Sequence, residues 1–115
     1  MIRVAIPVFR SRVSPVFDTC TRLLVFDFDQ GKEVKRQEIY LDELSVSERL
    51  PILRKLNVTT FICGAISEAF QNMLKTSSNR FITGIAGELE SILAAFLADR
   101  LDEPQFQMPG YRRKK

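Results

Sequence analysis

The 115-residue chain has no histidine, which removes the commonest acid–base catalyst and the commonest neutral metal ligand. Its two cysteines, Cys20 and Cys63, lie far apart in the sequence. They are too few for a self-contained four-thiolate zinc or iron–sulfur site. No apolar run approaches the ~18 residues of a membrane span. The opening stretch, Met1 to Ile6, enters a strand pattern directly and lacks the basic, apolar, small-residue order of a secretory signal. A cytoplasmic protein with no membrane partner is therefore expected, and a structural disulfide is not. Basic charge is also scarce on the body of the chain. Arg112, Arg113, Lys114 and Lys115 supply four of the 17 positive charges, leaving 13 basic against 14 acidic side chains. A nucleic-acid-binding domain would carry a basic face on the folded part itself. The pI of about 9.1 thus reflects a basic tail, and no nucleic-acid partner is expected.

What is present is the pattern of one α/β domain, with room for one hydrophobic core. Ile2 to Phe9 alternates and is rich in β-branched residues, so it reads as a strand. Arg10 to Pro15 is polar and reads as a loop. Arg22 to Phe28 is a second, more central strand, and Asp29-Gln30-Gly31-Lys32 is a turn signal. Glu33 to Leu41 completes a hairpin, and its charges suit a sheet edge, where they discourage pairing with other molecules. The pattern then switches. A helix runs to Leu56, with Ser45 and Glu48 fitting a capping box and Ser47 an equally good cap. Pro51 favours Ser47, because that start leaves the proline in the first turn. Val58 to Cys63 is a short buried strand, Ile66 to Leu74 a second helix, and Arg80 to Thr83 a brief strand. Glu88 to Leu101 is a third helix, with Leu89, Ile92, Leu93, Phe96 and Leu97 on one face. From Asp102 onward the chain reads as an extended or mobile tail.

The order β-β-β-α-β-α-β-α predicts a mixed five-stranded sheet with helices packed on it. That order is the one seen in ribonuclease-H-like folds, with spatial strand order 3-2-1-4-5. Ligands gather at the carboxyl ends of parallel strands. Three such ends lead here into Arg10, Arg12 and Ser14, into Cys63-Gly64, and into Gly84-Ile85-Ala86-Gly87. Glycine turns that feed helix starts favour an anion, so these loops predict a cationic, thiol-bearing mouth for a metal–sulfur cluster or a phosphate. Each residue has a plainer reading beside this one. Gly64, Gly84 and Gly87 also suit turns or close packing, and Arg10 and Arg12 suit a solvated loop. Cys63 and Cys20 suit a core.

Three stretches carry a family resemblance: Ile2-Arg3-Val4-Ala5-Ile6-Pro7, Arg12-Val13-Ser14-Pro15-Val16-Phe17-Asp18 and Phe61-Ile62-Cys63-Gly64-Ala65-Ile66. With Ala94-Ala95-Phe96-Leu97 in the last helix, they resemble the dinitrogenase iron–molybdenum-cofactor biosynthesis family over residues 1–101. Residues 102–115 form the basic tail outside that domain. The resemblance implies a non-catalytic accessory protein that binds or carries an iron–sulfur or molybdenum–iron–sulfur cluster between donor and acceptor proteins. It also implies that Ser14, Val16, Phe17, Cys63 and Gly64 belong to the binding region. Many family members have histidine where this chain has Val16.

Three other functions compete with this one. A ribonuclease-H nuclease needs clustered carboxylates for two metal ions, yet the strand Ile2 to Phe9 has no Asp or Glu. Gly84-Ile85-Ala86-Gly87 lacks the full dinucleotide fingerprint, and no Walker lysine follows a glycine run. A metal-free scaffold or regulatory interaction module on the same fold is the alternative that stands. A homodimer would cover an open sheet edge.

Overall fold

The computed structural model describes residues 1–110. The basic side chains Arg112, Arg113, Lys114 and Lys115 lie outside the described residues. The strands are β1 (Ile2–Phe9), β2 (Arg12–Val13), β3 (Arg22–Asp29), β4 (Lys32–Tyr40), β5 (Thr60–Ile62) and β6 (Arg80–Ile82). The helices are α1 (Val46–Lys55), α2 (Glu68–Leu74) and α3 (Leu89–Leu97), and Pro104–Phe106 forms a single 3-10 turn.

The five longer strands lie in the order β4-β3-β1-β5-β6, which is the 3-2-1-4-5 arrangement expected from the sequence. The sixth strand, β2, is an addition to that scheme and pairs antiparallel with the end of β1, Val8 opposite Val13. β1 is antiparallel to β3 and parallel to β5, so it is the central strand of a mixed sheet. Its side chains are buried on both faces, as a central strand requires. Val4, Ile6 and Val8 join Ile92 and Leu93 of α3 in one core, while Ala5 joins Leu53 of α1 and Phe70 of α2 in the other. Three layers result, with α3 on one face of the sheet and α1 and α2 on the opposite face.

Several boundaries differ from the sequence reading, each for a physical reason. Helix α1 is capped by Ser45, not Ser47. Ser45 Oγ accepts from the Glu48 N–H (3.2 Å) and Glu48 returns a bond to the Ser45 N–H (3.0 Å). This reciprocal box outweighs the cost of Pro51 in the second turn. Helix α3 stops at Leu97, short of the expected Leu101, because Asp99 turns left-handed (φ 57°). The Arg100 N–H reaches Ala95 O and the Asp99 N–H reaches Phe96 O, the bond pair of a Schellman cap. The stretch expected to be a mobile tail is docked as far as Met108. The Ala86 N–H donates to Phe106 O and the Met108 N–H to Gly84 O, both at 2.8 Å.

Candidate functional site

The carboxyl ends of β1, β5 and β6 open into three loops that are bonded to one another through their backbones. The Val13 N–H donates to Gly87 O (3.0 Å) and the Leu89 N–H to Ser11 O (2.9 Å), so β2 is held between β1 and the start of α3. The Ala65 N–H donates to Pro15 O and the Phe17 N–H to Ala65 O, both at 2.8 Å. The Gly84 N–H donates to Gly64 O (2.9 Å) and the Ile85 N–H to Cys63 O (3.0 Å). Arg12, Ser14, Val16, Cys63, Gly64 and Gly84 therefore belong to loops meeting on one rim.

Glycine is required at two of these positions. A Cβ on Gly64 would stand 2.7 Å from Pro15 O and 2.9 Å from Ser14 O, so the two loops touch backbone to backbone there. Gly84 has φ 73°, a left-handed geometry that side chains disfavour.

The side chains divide into those turned inward and those left outside. Phe17, expected at the binding surface, is fully buried. Its ring lies 5.7 Å from Phe61 and 5.4 Å from Phe70, so it anchors the loop to the core. Cys63 and Cys20 are also buried in that core cluster. Burial pushes the Cys63 thiol up to about 12 and the Cys20 thiol up to about 11. Burial thus disfavours the thiolate, the form that ligates metal. The structure places both cysteines in the core, in keeping with the plainer of their two readings. Among the described residues, no group of three or more Cys, Asp or Glu could hold a metal ion. The donor set does not fit direct ligation of a cluster.

The expected anion pocket of free N–H groups is also replaced. The N–H groups of Gly84, Ile85, Ala86, Ala65 and Ser67 all donate within the protein. What the rim does offer is an open hollow of about 400 Å³, bordered by Phe9, Ser14, Pro15, Val16, Thr19 and Cys20. Its lining carries no charged side chain. Phe9 is 56 % and Val16 41 % exposed, an unusual state for two large apolar residues side by side. Ser14 is buried, its Oγ donating to Val16 O at 3.2 Å. Arg10 and Arg12 are exposed beside the hollow. The Arg10 guanidinium lies over the Phe9 ring at 5.3 Å, a cation–π contact.

Two residues that the sequence reading gave no site role hold this loop in place. The Asp18 carboxylate accepts from the Ser67 N–H (2.9 Å) and from Ser67 Oγ, while Ser67 Oγ caps α2 through the Phe70 N–H. Arg49 of α1 is buried and donates to the carbonyls of Cys20, Asp18 (3.3 Å) and Leu44 (3.0 Å). The available signal for Arg49 was its spacing, since it lies one turn before Leu53 on the buried helix face.

With the geometry established, comparison places the molecule. The fold is shared with the crystal structure of PH0822, at TM-score 0.78 and 15 % identity over 86 % of this chain and 91 % of that one. It is also shared with a "putative dinitrogenase" of Methanocaldococcus jannaschii, at TM-score 0.72 and 22 % identity over 86 % and 90 %. An NMR structure of a like-named protein from Methanococcus jannaschii gives 0.70 and 20 % over 96 % and 95 %. Among curated proteins none matches. The family described as dinitrogenase iron-molybdenum cofactor matches residues 1–99, and this chain belongs to it.

Proposed function

We propose that this chain is a non-catalytic accessory protein of iron–molybdenum-cofactor biosynthesis, whose rim docks on a cluster-bearing partner instead of ligating the cluster itself. Family membership supports the cofactor theme. The observation that carries the docking reading is the apolar hollow between exposed Phe9 and Val16, on a rim whose two nearby thiols are buried. Aromatic and aliphatic groups seated in a hollow are the usual anchors of protein contacts, with charges at the border. Arg10 and Arg12 stand in that border position. They also favour a second reading, in which the cluster is carried as anionic cargo through contacts that are not metal–ligand bonds.

The test has two arms. Anaerobic treatment with iron and sulfide, followed by gel filtration, should leave the protein colourless and iron-free. Iron retained near stoichiometry would defeat the docking reading. Titration with cluster-loaded assembly proteins should give a saturable complex that Phe9→Ser and Val16→Asp each weaken by about tenfold or more. If isolated iron–molybdenum cofactor binds the chain and Arg10→Ala with Arg12→Ala removes that binding, the cargo reading replaces it.

A further inference from the structure

The arginines of the molecule divide by what holds them. Arg3, Arg22, Arg36 and Arg100 are each paired with a carboxylate of the chain. Arg49, Arg54 and Arg80 donate to carbonyl or hydroxyl oxygens instead. Among the described residues, the guanidiniums of Arg10 and Arg12 have neither kind of acceptor. Both are exposed.

The turn between β1 and β2 sets both beside Phe9. Phe9 pairs with Arg12 across the antiparallel ladder. Side chains directly opposite each other emerge on the same face, with Cβ atoms ~5 Å apart. Phe9 borders the hollow, so Arg12 flanks it on one side. Arg10 opens the two-residue turn with φ 58°, a conformation uncommon outside glycine. Its carbonyl accepts from Arg22 Nη1 (3.4 Å), and its guanidinium lies 5.3 Å from the centre of the Phe9 ring. Nearby carboxylates are already engaged, Glu38 by Arg22 and Asp18 by Ser67. Glu88 faces Arg12 through an isolated bridge, yet no ion pair joins them. An uncharged hollow thus has two unneutralised cations on one border.

We propose that the rim recognises an acidic segment of a partner protein, with an aromatic or aliphatic side chain seated in the hollow and Asp or Glu beside it facing Arg10 and Arg12. This rests on the docking reading above and names the chemistry of the partner. An arginine already paired within its own chain gains little from an incoming carboxylate, and these two have no such pair. Charges at a border steer approach and select among partners more than they add affinity. A single-stranded nucleic acid would need a longer cationic track and an open aromatic face, whereas Arg10 covers one face of Phe9.

The experiment pans a random-peptide display library against the intact protein and remakes the winning sequence as a synthetic peptide. The winners should join an aromatic or aliphatic residue to Asp or Glu, and binding should weaken as salt rises. Phe9→Ser, and Arg10→Glu combined with Arg12→Glu, should each lower the affinity by about tenfold or more. Arg10→Lys with Arg12→Lys should keep most of it, which separates charge from a folding defect. Lys32→Glu with Lys75→Glu reverses the same charge at exposed positions away from the rim and should leave binding unchanged. Three results would overturn the proposal: winners without acidic residues, a single-stranded oligonucleotide that binds more tightly than the peptide, or full binding by the charge-reversed rim. Cluster-loaded assembly proteins distinguish this failure from that of the docking reading. If they bind the charge-reversed rim as well as wild type but not Phe9→Ser, docking stands and the acidic segment falls. If they bind none of these proteins while the peptide results hold, the docking reading falls and the acidic-segment site stands.

Discussion

The two rims of the sheet are built in different ways. At the amino ends of β1 and β5, side chains hold the strands together. Arg3 donates to both carboxylate oxygens of Asp27 (2.7 and 3.1 Å) and to Leu56 O (2.7 Å), and Thr59 Oγ1 bonds the backbone of Arg3. At the carboxyl ends, the loops meet largely through main chain, by the bonds of Val13, Ala65, Gly84 and Ile85, with Asp18 and Arg49 adding side-chain bonds at one side. Backbone stitching leaves the side chains of Phe9, Arg10, Arg12 and Val16 exposed, with Arg10 lying over Phe9. Exposed side chains of this kind are available for contact with another molecule. The amino rim spends its polar groups on stability, and the carboxyl rim keeps its side chains in reserve.

The largest expected effect tests the inward part of the carboxyl rim. Phe17→Ala should cost about 3–5 kcal/mol in urea denaturation, because the ring fills the space between Phe61 and Phe70. A loss under ~1 kcal/mol would mean that Phe17 belongs to the contact surface after all. Next comes Gly64→Ala, expected to cost about 2–3 kcal/mol, since the added methyl group meets backbone oxygens and not a flexible side chain.

The amino rim is tested by Asp27→Asn, with an expected cost of about 1–3 kcal/mol at neutral pH. The Arg3 hydrogen bond holds the Asp27 carboxyl below the usual carboxylate range, against the opposing effect of burial. A lowered folded-state value means that the contribution is present above the unfolded value of ~3.9 and lost as pH falls through the folded one. Wild type and variant should therefore begin to converge as pH falls toward ~3.9 and meet only below the lower, folded-state value. A gap that persists at low pH would assign the effect to packing. The smallest change is expected at Val16→Ser, within about 0.5 kcal/mol of wild type, and the comparison between rims fails if that exposed position proves costly.

Much of the fold was legible because it is written in local pattern. The alternation of Ile2 to Phe9 and the helical spacing of Leu89, Ile92 and Leu93 each signal their element within one window. The Gln30-Gly31 turn does the same, with φ of 52° and 78° at its two central residues. The sheet order followed from connection rules. Strand β2 was not legible, because two residues carry no periodicity and its partners at Gly87 and Glu88 are remote in sequence. Docking of Phe106 and Met108 on the Gly84–Ala86 loop was hidden for the same reason.

The meeting of the three loops was legible, and the direction of their side chains was not. The Val-Ser-Pro loop, Cys63-Gly64 and Gly84 do lie on one rim. Nothing in the local sequence, however, tells whether Cys63 or Phe17 faces inward, since alternation breaks down in a loop. Arg49 was obscured by its type, because arginine on a surface helix is normally solvated. Here it serves three carbonyls from inside the core.

The docking of Met108 on Gly84 also governs how the molecule can be handled. The chain starts at the amino rim, and Met108 is docked at the opposite one. A reporter placed ahead of Met1 therefore stands the length of β1 away from Phe9.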